Sequence, residues 1–257
     1  MTGRFVWYEV LTTDVEGAKA FYSDVIGWKT QAFEESTGPD PYFMWVGSQG
    51  PLGGVYPQPP QPKGMKVPPM WMAHVEVEDV DGRAIEAEQL GGTIHVPAHD
   101  IPKVGRFSVI TDPQGAAISI FKPIRAMTEH DRTKPGEFTW HELYAQDAPS
   151  AFRFYSTMFG WKQMDEMDMG AAGKYLIFGD GKTQSGGMMT ITPEMKTPPM
   201  WCYYAGVTDL EGAIARAKAR DAKVMFGPMD VPGGGRVAML TDPQGAVFAL
   251  HTPAKSS

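Results

Sequence analysis

Cysteine is nearly absent: Cys202 stands alone among 257 residues. One thiol cannot close an internal disulfide, nor can it build a cysteine-rich metal site. No apolar run approaches the ~18 residues that a membrane-crossing helix needs. The opening MTGRFVWYEV has no cationic stretch leading into a long apolar core. No secretory leader is therefore expected, and a reducing cytoplasm is the expected location. Basic residues are the minority, 23 Lys plus Arg against 30 Asp plus Glu, for a net charge of −7. With no basic stripe, nucleic acid is not an expected partner. PGGGR at 232–236 lacks the Gly-x-Gly-x-x-Gly spacing and the following helix that cradle phosphate, which argues against a nucleotide site.

What is present is repetition. Hydrophobic residues make up 42% and charged residues 21%, the balance of a globular chain, and the length suggests two domains. TDPQGA occurs at Thr111–Ala116 and again at Thr241–Ala246, 130 residues apart. Asp, Pro and Gly fall at the first, second and fourth positions of a type I turn, with an apolar segment on either side. Trp7 returns as Trp140, Phe21-Tyr22 as Phe154-Tyr155, and Gly27-Trp28-Lys29 as Gly160-Trp161-Lys162, each 133 residues on. PPMW at 68–71 returns at 198–201. Repeats of this kind dictate architecture.

The pieces of one repeat are legible. Residues 5–11 (FVWYEVL) are aromatic and β-branched and predict a strand. Asp14 is the expected N-cap of a helix whose apolar face carries Val15, Ala18, Phe21, Tyr22 and Val25, with Gly27 ending it. Residues 42–47 and 52–56 read as strands, and QPPQPKGMKVPP (58–69) as a proline-rich linker. A second unit follows at a spacing of 65, Asp14 matching Asp79 and Gly27 matching Gly92. Its helix is expected to bury Val80, Ala84, Ile85 and Leu90. The polar stretch 124–137 reads as a linker, after which both units recur. The expected fold is α+β: four β-α-β-β-β modules (1–57, 68–123, 138–192, 198–253) paired into domains 1–123 and 138–257.

The strand–Asp–helix–FY–G patterns WYEVLTTDVEGAKAFYSDVIGW and WHELYAQDAPSAFRFYSTMFGW, with the two DPQG turns, resemble the vicinal oxygen chelate superfamily. That family includes glyoxalase I, extradiol dioxygenases and bleomycin-resistance proteins. The resemblance implies two cup-shaped domains, a pseudo-dimer in one chain, with a small molecule bound in the cup. It also implies where metal ligands would stand: Trp7, Met72 and Ser119 in the first domain, Trp140, Cys202 and Ala249 in the second. None is His, Glu, Asp or Gln, so no metal or other cofactor is expected from these six positions. A divalent zinc, iron, nickel or manganese ion on other ligands stays open.

Strand side chains alternate, so residues two positions along share a face. That step reaches Glu9, His74 and Phe121 in the first domain and Glu142, Tyr204 and His251 in the second. A Glu–His pair in each cup could act as general base or polar anchor. Alternatively, Glu9 and Glu142 hydrogen-bond backbone or a Trp indole and stabilise the cup. Trp7 and Trp140 either stack on a flat ligand or plug the cup. Met70, Met72, Met188, Met189 and Met200 suit an adaptable lining or an ordinary core. Arg106 and Arg236 occupy matching positions where an anionic ligand could be received. The expected function is metal-independent binding of a small apolar or aromatic molecule in one or both cups. A glyoxalase-like lyase or dioxygenase-type enzyme is the first alternative, and a protein-interaction scaffold the second. The chain would act as a monomer, with further association possible and no membrane partner.

Overall fold

The computed structural model describes residues 3–34, 41–58, 67–170 and 173–254. Most of the proline-rich 58–69 stretch, residues 59–66, lies outside the described residues. Four β-α-β-β-β modules follow one another. The first holds β1 (Phe5–Thr12), α1 (Val15–Val25), β2 (Lys29–Ala32), β3 (Phe43–Gly47) and β4 (Gly50–Pro57). The second holds β5 (Met70–Glu76), α2 (Val80–Gln89), β6 (Thr93–Ile101), β7 (Gly105–Thr111) and β8 (Ala117–Pro123). The third holds β9 (Phe138–Ala145), α3 (Ala148–Phe159), β10 (Lys162–Asp168), β11 (Lys174–Gly179) and β12 (Gln184–Thr190). The fourth holds β13 (Met200–Gly206), α4 (Leu210–Ala219), β14 (Lys223–Asp230), β15 (Arg236–Thr241) and β16 (Val247–Thr252). The strands form two eight-stranded sheets, ordered β2-β3-β4-β1-β5-β8-β7-β6 and β10-β11-β12-β9-β13-β16-β15-β14. The α+β tandem architecture expected from the repeats is the one observed. Among the described residues no helix is long and apolar enough to cross a membrane.

Each helix starts on an aspartate. The carboxylates of Asp14, Asp79, Asp147 and Asp209 accept from the backbone N–H three residues on, at 2.9, 3.1, 3.3 and 3.0 Å. These bonds satisfy donors that the first turn would leave orphaned. Helix α2 departs from expectation. Val80, Ala84 and Ala87 are its buried residues, whereas Ile85 and Leu90 are 55% and 38% exposed. Ile85 follows Ala84 by one residue, about 100° around a helix, and so turns off the buried face.

The chain divides into two compact units. Unit 1 comprises Met1–Val6, Met72–Glu129 and Trp140–Cys202; unit 2 comprises Trp7–Trp71, His130–Thr139 and Tyr203–Ser257. Within unit 2 the repeated motifs form one hydrogen-bonded chain. Trp71 Nε1 donates to the Tyr22 hydroxyl at 2.8 Å, and that hydroxyl donates to Asp242 at 2.9 Å. Asp242 in turn accepts from the N–H groups of Gln244, Gly245 and Ala246 at 2.8–3.0 Å. Within unit 1 the Trp201 indole donates to Tyr155 at 3.0 Å, and Tyr155 helps hold the Asp112 carboxyl charged. The PPMW, FY and TDPQG motifs are thus parts of one clamp. Burial nevertheless raises both aspartates above the usual carboxylate range.

The stretch 124–137 is built into this packing. In unit 2, Gly136 accepts from Trp28 Nε1 at 2.7 Å and donates to Gly206 at 2.7 Å. In unit 1, Gly3, 133 residues earlier, accepts from Trp161 Nε1 at 2.7 Å. Both glycines have positive φ, 84° and 85°, a conformation that disfavours a side chain.

Candidate functional site

Strand β1 presents Trp7, Glu9 and Leu11 on one face, and Tyr8 and Val10 are buried on the other. The Trp7 indole donates to the Tyr42 hydroxyl at 2.7 Å, and Tyr42 donates to Glu9 Oε1 at 2.7 Å. All three residues belong to unit 2 and all are half-buried. The arrangement recurs in unit 1. Trp140 donates to Tyr175 at 2.8 Å, and Tyr175 to Glu142 Oε1 at 2.9 Å. Tyr144 adds a second bond, to Glu142 Oε2, at 2.6 Å.

The tyrosines lie where they do because of glycine. A Cβ on Gly54 would fall on the Tyr42 ring, and one on Gly187 on the Tyr175 ring. Gly53 and Gly186 have the same relation to the carbonyls of Tyr8 and His141 across the parallel β1–β4 and β9–β12 ladders. Glycine in a strand interior costs stability, and close approach of another group is its usual reason. Each hydroxyl is held protonated. Burial first, and then the neighbouring glutamate's charge, push Tyr42 and Tyr175 well above the ordinary phenol range. What results is a carboxylate that accepts from phenol, itself accepting from indole, in duplicate. Such a chain can anchor a donor group; it contains no deprotonated phenol.

The remaining expected site residues are placed as follows. In unit 1, His74 is buried, its ring 5.7 Å from Phe121 and 6.1 Å from Phe107. Met72 is buried, and Ser119 is buried with its hydroxyl donating to the Ser108 carbonyl at 3.1 Å. Cys202 is fully buried, and burial, then the charge of Glu142, push its thiol well up. In unit 2, Tyr204 and Ala249 are buried, and His251 Nδ1 lies 2.9 Å from Thr139 Oγ1. Burial lowers the His251 imidazole below its usual range. Glu9 and His74 fall in different units, as do Glu142 and His251. Of the buried methionines, Met188 and Met189 belong to unit 1 with Met72, so the β12 pair is core there.

One expectation changes. Arg106 is engaged by Asp81 at 2.7 Å and Asp100 at 2.9 Å, and Arg236 by Glu211 at 2.7 Å and Asp230 at 3.3 Å. The matching arginines thus brace their own hairpins, because acidic side chains of the adjoining helix and strand reach them first. The glycines beside them allow close packing: a Cβ on Gly235 would fall against the His251 ring, as one on Gly105 would against Phe121.

The six positions that the family resemblance assigns to metal do not fit one. The indole and alanine side chains offer no lone pair for a metal, the Met72 thioether and the Ser119 hydroxyl are weak neutral ligands, and the Cys202 environment opposes thiolate, the form that binds metal. Among the described residues, no group of three or more His, Cys, Asp and Glu is placed to hold an ion. Tyr42, Tyr175 and the Gly-Gly pairs were not singled out by sequence reading. Their signal was nevertheless there, since Tyr42 and Tyr175, Gly53-Gly54 and Gly186-Gly187 all keep the spacing of 133.

The comparisons agree with this fold. The chain is 33% identical over 249 residues to CFP32 of Mycobacterium tuberculosis, a protein named as a glyoxylase, covering 96% of this chain and 94% of that one. It is 26% identical over 258 residues to the anthracycline biosynthesis protein DauV of Streptomyces sp. strain C5, covering 96% and 92%. The Mn(II)-bound glyoxalase of Novosphingobium aromaticivorans superimposes with a TM-score of 0.64 at 14% identity, over 99% of this chain and 82% of that one. A substrate complex of homoprotocatechuate 2,3-dioxygenase from Brevibacterium fuscum gives 0.66 at 12% identity, over 99% and 81%. Residues 4–120 and 137–250 each match the family model, and the chain therefore belongs to the Glyoxalase/Bleomycin resistance protein/Dioxygenase superfamily.

Proposed function

We propose that the chain binds a small, flat, apolar or aromatic molecule without a metal, using a Trp–Tyr–Glu site. The observation that carries this reading is the chain Trp7–Tyr42–Glu9 and its copy Trp140–Tyr175–Glu142. Each copy sets indole and phenol beside a carboxylate, with an indole where the family resemblance puts a metal ligand. Flat apolar surface gives affinity, and a few placed polar groups give orientation. A relative named for anthracycline biosynthesis, the chemistry of fused aromatic rings, is in keeping with such a ligand. The test is to purify the protein without chelators, measure its metal content by mass spectrometry, and titrate it with planar phenols by tryptophan fluorescence. Sub-stoichiometric metal with saturable quenching is expected. The name of the mycobacterial relative favours a second reading, a glyoxalase-like or dioxygenase-type enzyme. Stoichiometric zinc, iron, nickel or manganese would establish that reading in place of the first.

A further inference from the structure

Unit 2 holds an imidazole whose tautomer is dictated by the bonds around it. Strand β16 buries Phe248 and Leu250 on one face, with Phe248 against Phe21 and Tyr22 of α1. Strand alternation turns Ala249 and His251 to the other face. Paired residues of neighbouring strands share a face, so Val237, opposite His251, and Met239 and Tyr204, opposite Ala249, lie there too. Thr139 joins them with one hydroxyl that makes two hydrogen bonds. Its Oγ1 stands 3.2 Å from the Tyr204 carbonyl and 2.9 Å from His251 Nδ1. A carbonyl only accepts, so the single hydroxyl proton goes to Tyr204. His251 Nδ1 must then supply the proton of the second bond. In a neutral imidazole this leaves the lone pair on Nε2. The bond to Thr139 is the only one the ring makes among the described residues. Burial lowers the imidazole and so favours its neutral form.

The ring is half-buried, and Nε2 is its atom nearest Gly235, where a Cβ would stand 2.7 Å from the nitrogen. A larger residue there would cover it. The first half of the chain has Gly105 at the position of Gly235, Phe121 at that of His251 and Val6 at that of Thr139. The glycine beside the ring is kept, but hydroxyl and imidazole are absent together. The pair therefore occurs once per chain.

We infer that His251 is a ligand-recognition residue of unit 2, whose Nε2 accepts a hydrogen bond from the hydroxyl of a small molecule. Thr139 is the positioning residue that fixes the tautomer. The ligand is of single-ring size, because Tyr204, Val237 and Met239 on the same face are only 7%, 9% and 9% exposed. This site shares no residue with the Trp–Tyr–Glu chains and does not rest on them.

Long-range 1H–15N NMR of the histidine rings in the full chain, near neutral pH, reads the tautomer. Loss of signals in His251→Phe identifies the ring. A protonated Nδ1 and a bare Nε2 are expected. Phenol should shift the Nε2 resonance saturably, and anisole, its methyl ether, should bind at this ring about fivefold more weakly for want of a donor. Thr139→Val should mix the tautomers and remove that preference, whereas Thr139→Ser should keep both. Gly235→Ala should remove it by covering Nε2. Circular dichroism establishes that each variant is folded. In the wild type, a protonated Nε2 on the neutral ring would overturn the inference, as would a His251 resonance that phenol moves no more than anisole does. An unchanged tautomer and preference in folded Thr139→Val would overturn the role of Thr139.

Discussion

Tyr22 shows how much one hydroxyl can carry. It accepts from Trp71 and donates to Asp242, and the ring is fully buried. Tyr22→Phe would leave the Trp71 N–H and one Asp242 oxygen without that partner in the core. A loss of about 1–3 kcal/mol is expected, since an unsatisfied buried group costs its desolvation; urea unfolding followed by tryptophan fluorescence measures it. His251 gives a pH signature of definite sign. Its folded imidazole is lowered by burial, so the native state binds this proton less readily than the unfolded chain does. The contribution of neutral His251 is full above the unfolded imidazole value of ~6.5 and is lost as pH falls from there toward the folded value. An NMR titration should place the His251 midpoint below the free imidazole range. His251→Asn should flatten the loss of Tm on mild acidification. Asp112 and Asp242 act with the opposite sign, because raised carboxyls penalise the native state less as they protonate.

At the scale of the element, the caps and the Gly-Gly pairs fix what each strand and helix can face. Gly187→Ala would drive a methyl group into the Tyr175 ring and dislodge Glu142's partner. The expected cost is about 2 kcal/mol, typical of overpacking a filled interior. Thermal denaturation should register it, with the matching Gly54→Ala acting on Tyr42. The correction on α2 makes a prediction of the other kind. Because Ile85 is 55% exposed, Ile85→Glu should shift stability by no more than about 0.5 kcal/mol, whereas a residue on the buried face would not tolerate the charge. Helix α4 reaches α1 through Arg216, which donates to the carbonyls of Asp24 at 2.8 Å and Val25 at 3.1 Å. Those carbonyls end α1, where the helix dipole favours a cation.

At the scale of the molecule, each compact unit draws on both halves of the sequence. Asp112 meets Tyr155, and Tyr22 meets Asp242, 220 residues away in sequence. Trp28 reaches Gly136, and Trp161 reaches back to Gly3, 158 residues earlier. A fragment of residues 1–123 lacks Tyr155, Asp242 and Gly136, and so it leaves Tyr22 and Trp28 without their buried partners. It is expected to bind a hydrophobic dye or self-associate rather than unfold cooperatively as a monomer, which size-exclusion chromatography and denaturation would test. In the intact chain Cys202 is fully buried and held as thiol, so a disulfide reagent should label it only on unfolding.

The sequence by itself determined the modules. TDPQG, the aspartate caps and the FY–GW spacing are local devices, and backbone sterics and capping act over a few residues, so the α+β repeat could be read directly. That the six metal positions hold no His, Glu, Asp or Gln could likewise be read directly, since residue identity needs no fold, whereas the protonation of Cys202 depends on its buried surroundings. Only the tertiary structure decided what the polar residues do. Glu9 and Glu142 look equivalent in sequence, yet Glu9 is half-buried whereas Glu142 is buried and accepts from both Tyr144 and Tyr175. Tyr42 reaches Glu9 from 33 positions away, over a glycine whose purpose is invisible until the ring lies on it. Contacts of that kind depend on how strands pair, and pairing is a property of the whole sheet rather than of any one segment.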